Sequence, residues 1–204
     1  YWDLYERDKM PVAAFQEQSK NAVDVAYQNS GELRAYSDIP ALLAFTDQKS
    51  YGVTLPVARQ KELIHGYYAA VSYADAQIGI VLNALDSLGL NKNTIVVLWG
   101  DHGWHLGDHN LWCKHSNFEE ATRSPLIFSA PHIKPSATQS LSEFVDIFPT
   151  LCELSGIPVP AQLEGKSLVP LMKNPETSVK EFAISQYPRS ANAIETQRMT
   201  DATA

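Results

Sequence analysis

The stretch from Gln60 to Leu88 constrains the fold most. Ile64, Tyr68, Val71, Ile78, Val81, Leu82 and Leu85 recur there at steps of three and four, describing one face of a long amphipathic helix. Gly89 follows where a helix C-cap is expected. Thr94-Ile95-Val96-Val97-Leu98-Trp99 is then a continuous apolar, β-branched run, which predicts a strand buried on both faces. A second apolar run from Pro125 to Pro131 predicts another buried strand. Phe144, Ile147, Phe148, Leu151 and Leu154 predict a helix between Ser142 and Ser155, ended by Gly156. Helix, strand, loop, strand, helix is the α/β order, and it predicts a mostly parallel sheet flanked by helices.

The first 60 or so residues are irregular, because Pro11, Pro40, Pro56 and Asn29-Ser30-Gly31 break any long period. Short helical patches are expected around Ala41–Phe45 and from Gln60 onward, and Phe182-Ala183-Ile184-Ser185 is a candidate strand. The residues from Ser190 on are polar and unpatterned. The chain opens without Met, on Tyr1-Trp2-Asp3, so further sequence is expected before it. No apolar run approaches the roughly 20 residues of a membrane helix. The net charge of -7 comes from 23 acidic and 16 basic residues spread along the chain. Nucleic acid is therefore not an expected partner, since neutralising phosphates needs clustered Lys and Arg. Two cysteines, Cys113 and Cys152, leave one bridge or two free thiols open.

Chemistry gathers in one loop. In an open parallel sheet, ligands collect at the carboxyl ends of strands, and Gly100 to Asn117 follows such an end. Asp101, His102, His105, Asp108, His109, Lys114 and His115 fall within 15 residues there, with Trp104 and Trp112 between them. An Asp directly after a buried strand is placed to bind a hard cation through oxygen, and His102 can add a nitrogen or hydrogen-bond a group on the metal. A strand-ending Asp also commonly caps the next turn. The added histidines, lysine and tryptophans favour the functional reading. No Cys-x-x-Cys or His-x-x-x-His spacing marks a zinc site.

Leu98-Trp99-Gly100-Asp101-His102-Gly103-Trp104-His105-Leu106-Gly107-Asp108-His109, followed by Trp112-Cys113-Lys114-His115-Ser116-Asn117-Phe118-Glu119, resembles the second metal and sulfate motif of the sulfatases. These are members of the alkaline-phosphatase superfamily, and the match is nearest to the branch containing the iduronate-2-sulfatases. Tyr67–Gly79 and Ser185-Gln186-Tyr187-Pro188-Arg189 are similar to that branch too. The resemblance runs from about Tyr1 to Arg189. It implies an alkaline-phosphatase-like α/β fold, incomplete here. Residues 1–180 would form the C-terminal portion of the catalytic domain, and 181–204 the truncated start of a small C-terminal subdomain.

The resemblance also implies the chemistry. Asp101 and His102 would serve a Ca2+ ion, Lys114 would contact the sulfate group, and Trp104 would line the substrate pocket. His105 and His109 would contact substrate or support the site from behind. The family's nucleophile is a formylglycine made in a Cys/Ser-x-Pro-Ser-Arg motif, and neither Cys113 nor Cys152 stands in that motif. The nucleophile and the remaining metal ligands are therefore expected upstream of Tyr1. The 204-residue segment alone would be inactive and would bind calcium weakly.

The implied reaction is sulfate-ester hydrolysis on a sulfated carbohydrate, in a protein expected to be secreted, periplasmic or lysosomal. The competing expectations are a phosphoester or phosphonate hydrolase of the same superfamily and a noncatalytic carbohydrate-binding descendant. The sequence assigns neither the sugar nor the oligomeric state. Tyr67, Tyr68 and Tyr73 are expected to pack the helix against the sheet, and Asp75 to be a hydrogen-bonded core polar group. Glu119 and Glu120 fit a helix start. Cys113, beside Lys114, is a candidate activated thiol against the blander reading of an inert one.

Overall fold

A computed structural model describes residues 1–28, 30–39 and 54–187. The expected helical patch at Ala41–Phe45, the Pro188-Arg189 pair and the tail from Ser190 lie outside the described residues. The described chain falls into two compact units. Among the described residues, one falls within Tyr1–Gly79 and Gly100–Ser124 together with residues 186–187; the other comprises Ile80–Trp99 and Pro125–Ser185. No described helix is long and apolar enough to cross a membrane.

The predicted long helix is present as a 31-residue element. With helix α1 at Gly31–Arg34 ahead of it, this is α2, Val57–Ser87. Gly89 ends it at φ +69°, where a side chain is disfavoured. The Leu90 amide donates to the Leu85 carbonyl at 3.0 Å and the Gly89 amide to Asp86 at 3.0 Å, a Schellman closure that satisfies carbonyls the helix leaves open.

In the first unit, Ile64 of α2 packs with Met10, Leu33, Ile39, Leu55, Trp112 and Cys113. Burying each large apolar side chain of this kind stabilises by roughly 1.5–3 kcal/mol. Gln60 sits inside this unit, its amide donating to Gln16 at 2.9 Å and to the Leu55 carbonyl at 2.7 Å. The tyrosines of α2 meet partners other than a sheet. Tyr68 packs edge-on against Tyr5, Tyr73 against Tyr1, and Tyr67 stacks on Trp104. Asp75 is exposed, not a core group, because the apolar stripe of α2 is not continuously covered: Val71, Val81 and Leu82 are exposed as well.

In the second unit the strands are β1, Val96–Trp99, and β4, Leu126–Ser129. They pair antiparallel, Val96 opposite Ser129 and Trp99 opposite Leu126. The expected parallel sheet does not occur among the described residues. A continuous β-branched run selects extended backbone but is silent on strand direction. The expectation of burial on both faces also fails, since Leu98, Trp99 and Ile127 are exposed. Helix α4, Ile147–Leu154, follows a 3-10 turn at Phe144–Asp146, and α5 spans Val169–Lys173. Phe182–Ser185 forms no strand.

The fold of the second unit is tied by Asp146, which is fully buried. Its Oδ1 accepts from the Lys166 amide at 2.7 Å, and its Oδ2 from the Glu143 amide at 2.8 Å and from Lys180 Nζ at 2.6 Å. Lys180 also donates to Glu143 at 2.6 Å. That hydrogen bond and one from the Ile184 amide hold the Glu143 carboxyl below its usual range.

Candidate functional site

Three short elements of the first unit shape the predicted loop: strands β2, His105–Leu106, and β3, Trp112–Cys113, then helix α3, Glu119–Thr122. The two strands form a hairpin, His105 opposite Cys113 and Leu106 opposite Trp112. Glu119 and Glu120 stand in the first turn of α3, as expected for acids at a helix start.

Gly103 anchors the segment before the hairpin. Its amide donates to the Ala121 carbonyl at 2.8 Å, and a Cβ at this position would overlap the Glu120 carbonyl oxygen. Ser124 Oγ donates to the Gly100 carbonyl at 2.7 Å, which ties the other end of the same turn. Asp101 and His102 are thus carried on a turn clamped at both ends.

Asp101 projects into solvent with 84% of its side chain exposed, and its Oδ2 lies 3.5 Å from His102 Nε2. The other nitrogen of His102, Nδ1, is 2.8 Å from the Gly103 carbonyl. A carbonyl only accepts, so Nδ1 must carry a proton in that contact. In the neutral ring Nε2 then presents a lone pair beside the Asp101 carboxylate. Two lone-pair donors at that separation on an open face suit a shared cation; protonation of Nε2 converts the same pair into an ion pair.

Trp104 links this corner to Lys114. Its indole stacks with His102 at 5.9 Å between centroids and with Tyr67 at 6.2 Å, while Lys114 Nζ lies 5.3 Å from the ring centroid. That places an ammonium in cation–π range of the indole. Lys114 donates to Glu32 Oε1 at 2.8 Å. The hydrogen bond holds its pKa above the ordinary lysine value; burial opposes this, and the charges of Glu32, Cys113 and Asp101 support it. Glu32 is correspondingly lowered by its bond to Lys114. Beyond Glu32, His115 Nε2 is 2.9 Å from its Oε2, and Tyr187 hydroxyl is 2.6 Å from His115 Nδ1.

The structure therefore gathers Asp101, His102, Trp104 and Lys114. His105 and His109 meet other neighbours. His105 is fully buried, with Nε2 2.6 Å from Ser116 Oγ. His109 adopts a left-handed φ of +54° in the hairpin turn and stacks on Phe118 at 4.7 Å, with Phe15 and Tyr27 at its edges. Cys113 is buried and its thiol is pushed up to about 11, chiefly by desolvation, so it is the inert thiol and not the activated one. Cys152 is likewise a free, buried thiol.

Sequence reading missed Glu32 and Tyr67 as neighbours of the loop and gave His115 no role. Tyr67 lay within a helical stripe that looked purely structural. Glu32 lies 82 positions before Lys114 in a region without a period, and no local signal marks it.

Among the described residues, no group of three or more His, Cys, Asp or Glu is arranged to hold a metal. Asp101 and His102 offer only part of the six to eight ligands that calcium takes. As a share of such a shell they fit: a hard carboxylate with open oxygens, held on a clamped turn.

The sulfatase family model matches residues 6–157. A sulfatase from Formosa agariphila is 41% identical over 135 residues, covering 66% of this chain and 27% of that protein. Human iduronate 2-sulfatase is 33% identical over 238 residues, covering 93% of this chain and 42% of its own length. The solved phosphonate monoester hydrolase of Silicibacter pomeroyi superposes with a TM-score of 0.65 at 26% identity, covering 87% of this chain and 34% of that one. The chain thus spans well under half the length of these relatives. With the family match extending through the Asp101–Lys114 loop, the chain belongs to the sulfatase family and has its alkaline-phosphatase-like α/β fold, in part.

Proposed function

We propose that this chain carries part of the active site of a calcium-dependent sulfuric-ester hydrolase acting on a sulfated carbohydrate, whose formylglycine nucleophile lies outside these 204 residues. The observation that carries the reading is the Lys114 ammonium, held by Glu32 in the same cluster as Trp104, His102 and the open Asp101 carboxylate. Hydrolysis of a sulfate ester builds negative charge on the departing and sulfate oxygens. Lys114 offsets that charge through an aimed N–H donor, and its advantage grows where water is excluded. Asp101 and His102 are the groups that would hold calcium here, which when bound would supply Lewis-acid stabilisation to the sulfate oxygens. Trp104 keeps His102 and Lys114 in one neighbourhood and presents the apolar surface that a sugar ring requires.

The carbohydrate assignment is supported by the human relative, whose name specifies a sulfated uronic acid. The secreted, periplasmic or lysosomal compartment is part of the same proposal and rests on the family resemblance. A second reading, phosphonate-ester hydrolysis, is favoured by the Silicibacter structure. Both chemistries use a cation and ammonium against a tetrahedral oxyanion. The test is to give the full-length protein a panel of sulfated sugars and a phosphonate monoester, with calcium and with a chelator. Calcium-dependent sulfate release from a sugar is expected. Turnover of the phosphonate ester without sulfate release would overturn the reading in favour of the second. Binding of sugar without turnover of either would point to a noncatalytic descendant.

A further inference from the structure

We infer that Glu32 is a positioning residue for Lys114, holding the ammonium in place from a helix remote in sequence; this rests on the reading of Lys114 as the group that meets the sulfate. The two oxygens of Glu32 are divided between two neighbours on the loop, Oε1 to Lys114 at 2.8 Å and Oε2 to His115 at 2.9 Å. The second contact is close but is not aligned as a hydrogen bond, so the directed bond that Glu32 makes is the one it accepts from Lys114. On its other side His115 Nδ1 lies 2.6 Å from the Tyr187 hydroxyl. Tyr187, His115, Glu32 and Lys114 thus form a row of close polar contacts.

Geometry sets the consequence for Lys114. An unrestrained lysine distributes its ammonium over the rotamers of a four-carbon stem. Here one N–H points to Glu32 and the ammonium sits near the Trp104 ring, leaving a donor for a third partner. Glu32 lies on α1, and its second oxygen is in close contact with His115. The charged and titratable groups facing Lys114 are Glu32 from α1, Cys113 next to it in the chain, and Asp101 from the preceding turn. Glu32 makes the contact, and replacing it removes both the anchor and the nearest negative charge.

The test uses full-length protein and the variants Glu32→Ala, Glu32→Gln and Glu32→Asp, with Glu119→Gln as an exposed acidic control. Loss of a group that orients a functional side chain costs about 10–100-fold in activity. Glu32→Ala is expected at the upper end of that range, mainly in kcat, with Glu32→Gln retaining more activity because its amide oxygen still accepts from Lys114. A second readout does not depend on turnover: acetylation of Lys114, followed by mass spectrometry at fixed alkaline pH, should be several-fold faster in Glu32→Ala than in the native protein. Thermal melts establish that each variant is folded. If the native protein releases no sulfate, the sulfatase reading falls, while the acetylation rates still decide whether Glu32 holds Lys114. Unchanged acetylation overturns the inference, as does faster acetylation with unchanged kcat/KM in a protein that turns over.

Discussion

Two acid–lysine clusters in this chain differ in how fully their polar groups are used. Around Asp146 every carboxylate oxygen has a donor: two backbone amides and Lys180, whose side chain is only 11% exposed. Around Asp101 the carboxylate is 84% exposed and meets His102 at 3.5 Å, and Lys114 keeps donor capacity beyond Glu32. The first arrangement spends its polar groups on closing the chain. The second leaves them available, on a backbone turn fixed by Gly103 and Gly100. A saturated buried acid is a structural tie, whereas an open acid on a rigid turn is a place to bind something.

The contrast can be broken by substitution. Asp146→Ala leaves the Glu143 and Lys166 amides without their acceptor and Lys180 with Glu143 alone; breaking a buried pair of this kind costs about 3–5 kcal/mol, which denaturant unfolding will show as a large fall in midpoint. Asp101→Ala should shift the same midpoint by no more than about 0.5 kcal/mol, because surface changes rarely cost more. Lys114→Ala should lower kcat of the full-length enzyme by about 10²–10³-fold with little loss of stability, as removal of one aimed donor does elsewhere. Gly103→Ala pushes a methyl group into the Glu120 carbonyl; overpacking costs about 1–3 kcal/mol, and activity should fall with the displaced turn.

The smallest effect is in pH dependence. Glu143 has its pKa lowered by Lys180, so the stability it contributes is present above the ordinary carboxylate value of 4.5 and is lost as pH falls through its lower folded value. The raised pKa of Lys180 works in the opposite sense: its contribution is complete below 10.5 and disappears as pH rises through the folded value. Unfolding midpoints of Glu143→Gln measured from pH 6 to 3 should therefore fall less steeply than those of the native protein.

Much of this organisation was legible before the structure. The period of three and four residues located α2 to within a turn, and Gly89 marked its end because only a left-handed residue closes that helix. The Gly100–Asn117 loop stood out through its titratable groups. Strand direction was not legible, since β-branched residues favour extension equally in either sense, and the expected parallel sheet gave way to an antiparallel pair. Nor was the division of the four histidines. His105 is closed into the hairpin and His109 into an aromatic nest, while His102 and His115 face the polar cluster. Alternation within a two-residue strand is too short to show as a period, and contacts to Glu32 or Tyr67 depend on segments far apart in sequence.

Release of sulfate by the full-length protein from a panel of sulfated sugars, in native and Asp101→Ala forms with calcium added or chelated, bears most directly on the open corner. The account predicts release by the native protein that chelation abolishes and calcium restores, and none by an Asp101→Ala protein that melts like the native one. Equal sulfate release by the two proteins, or release indifferent to the chelator, would contradict it.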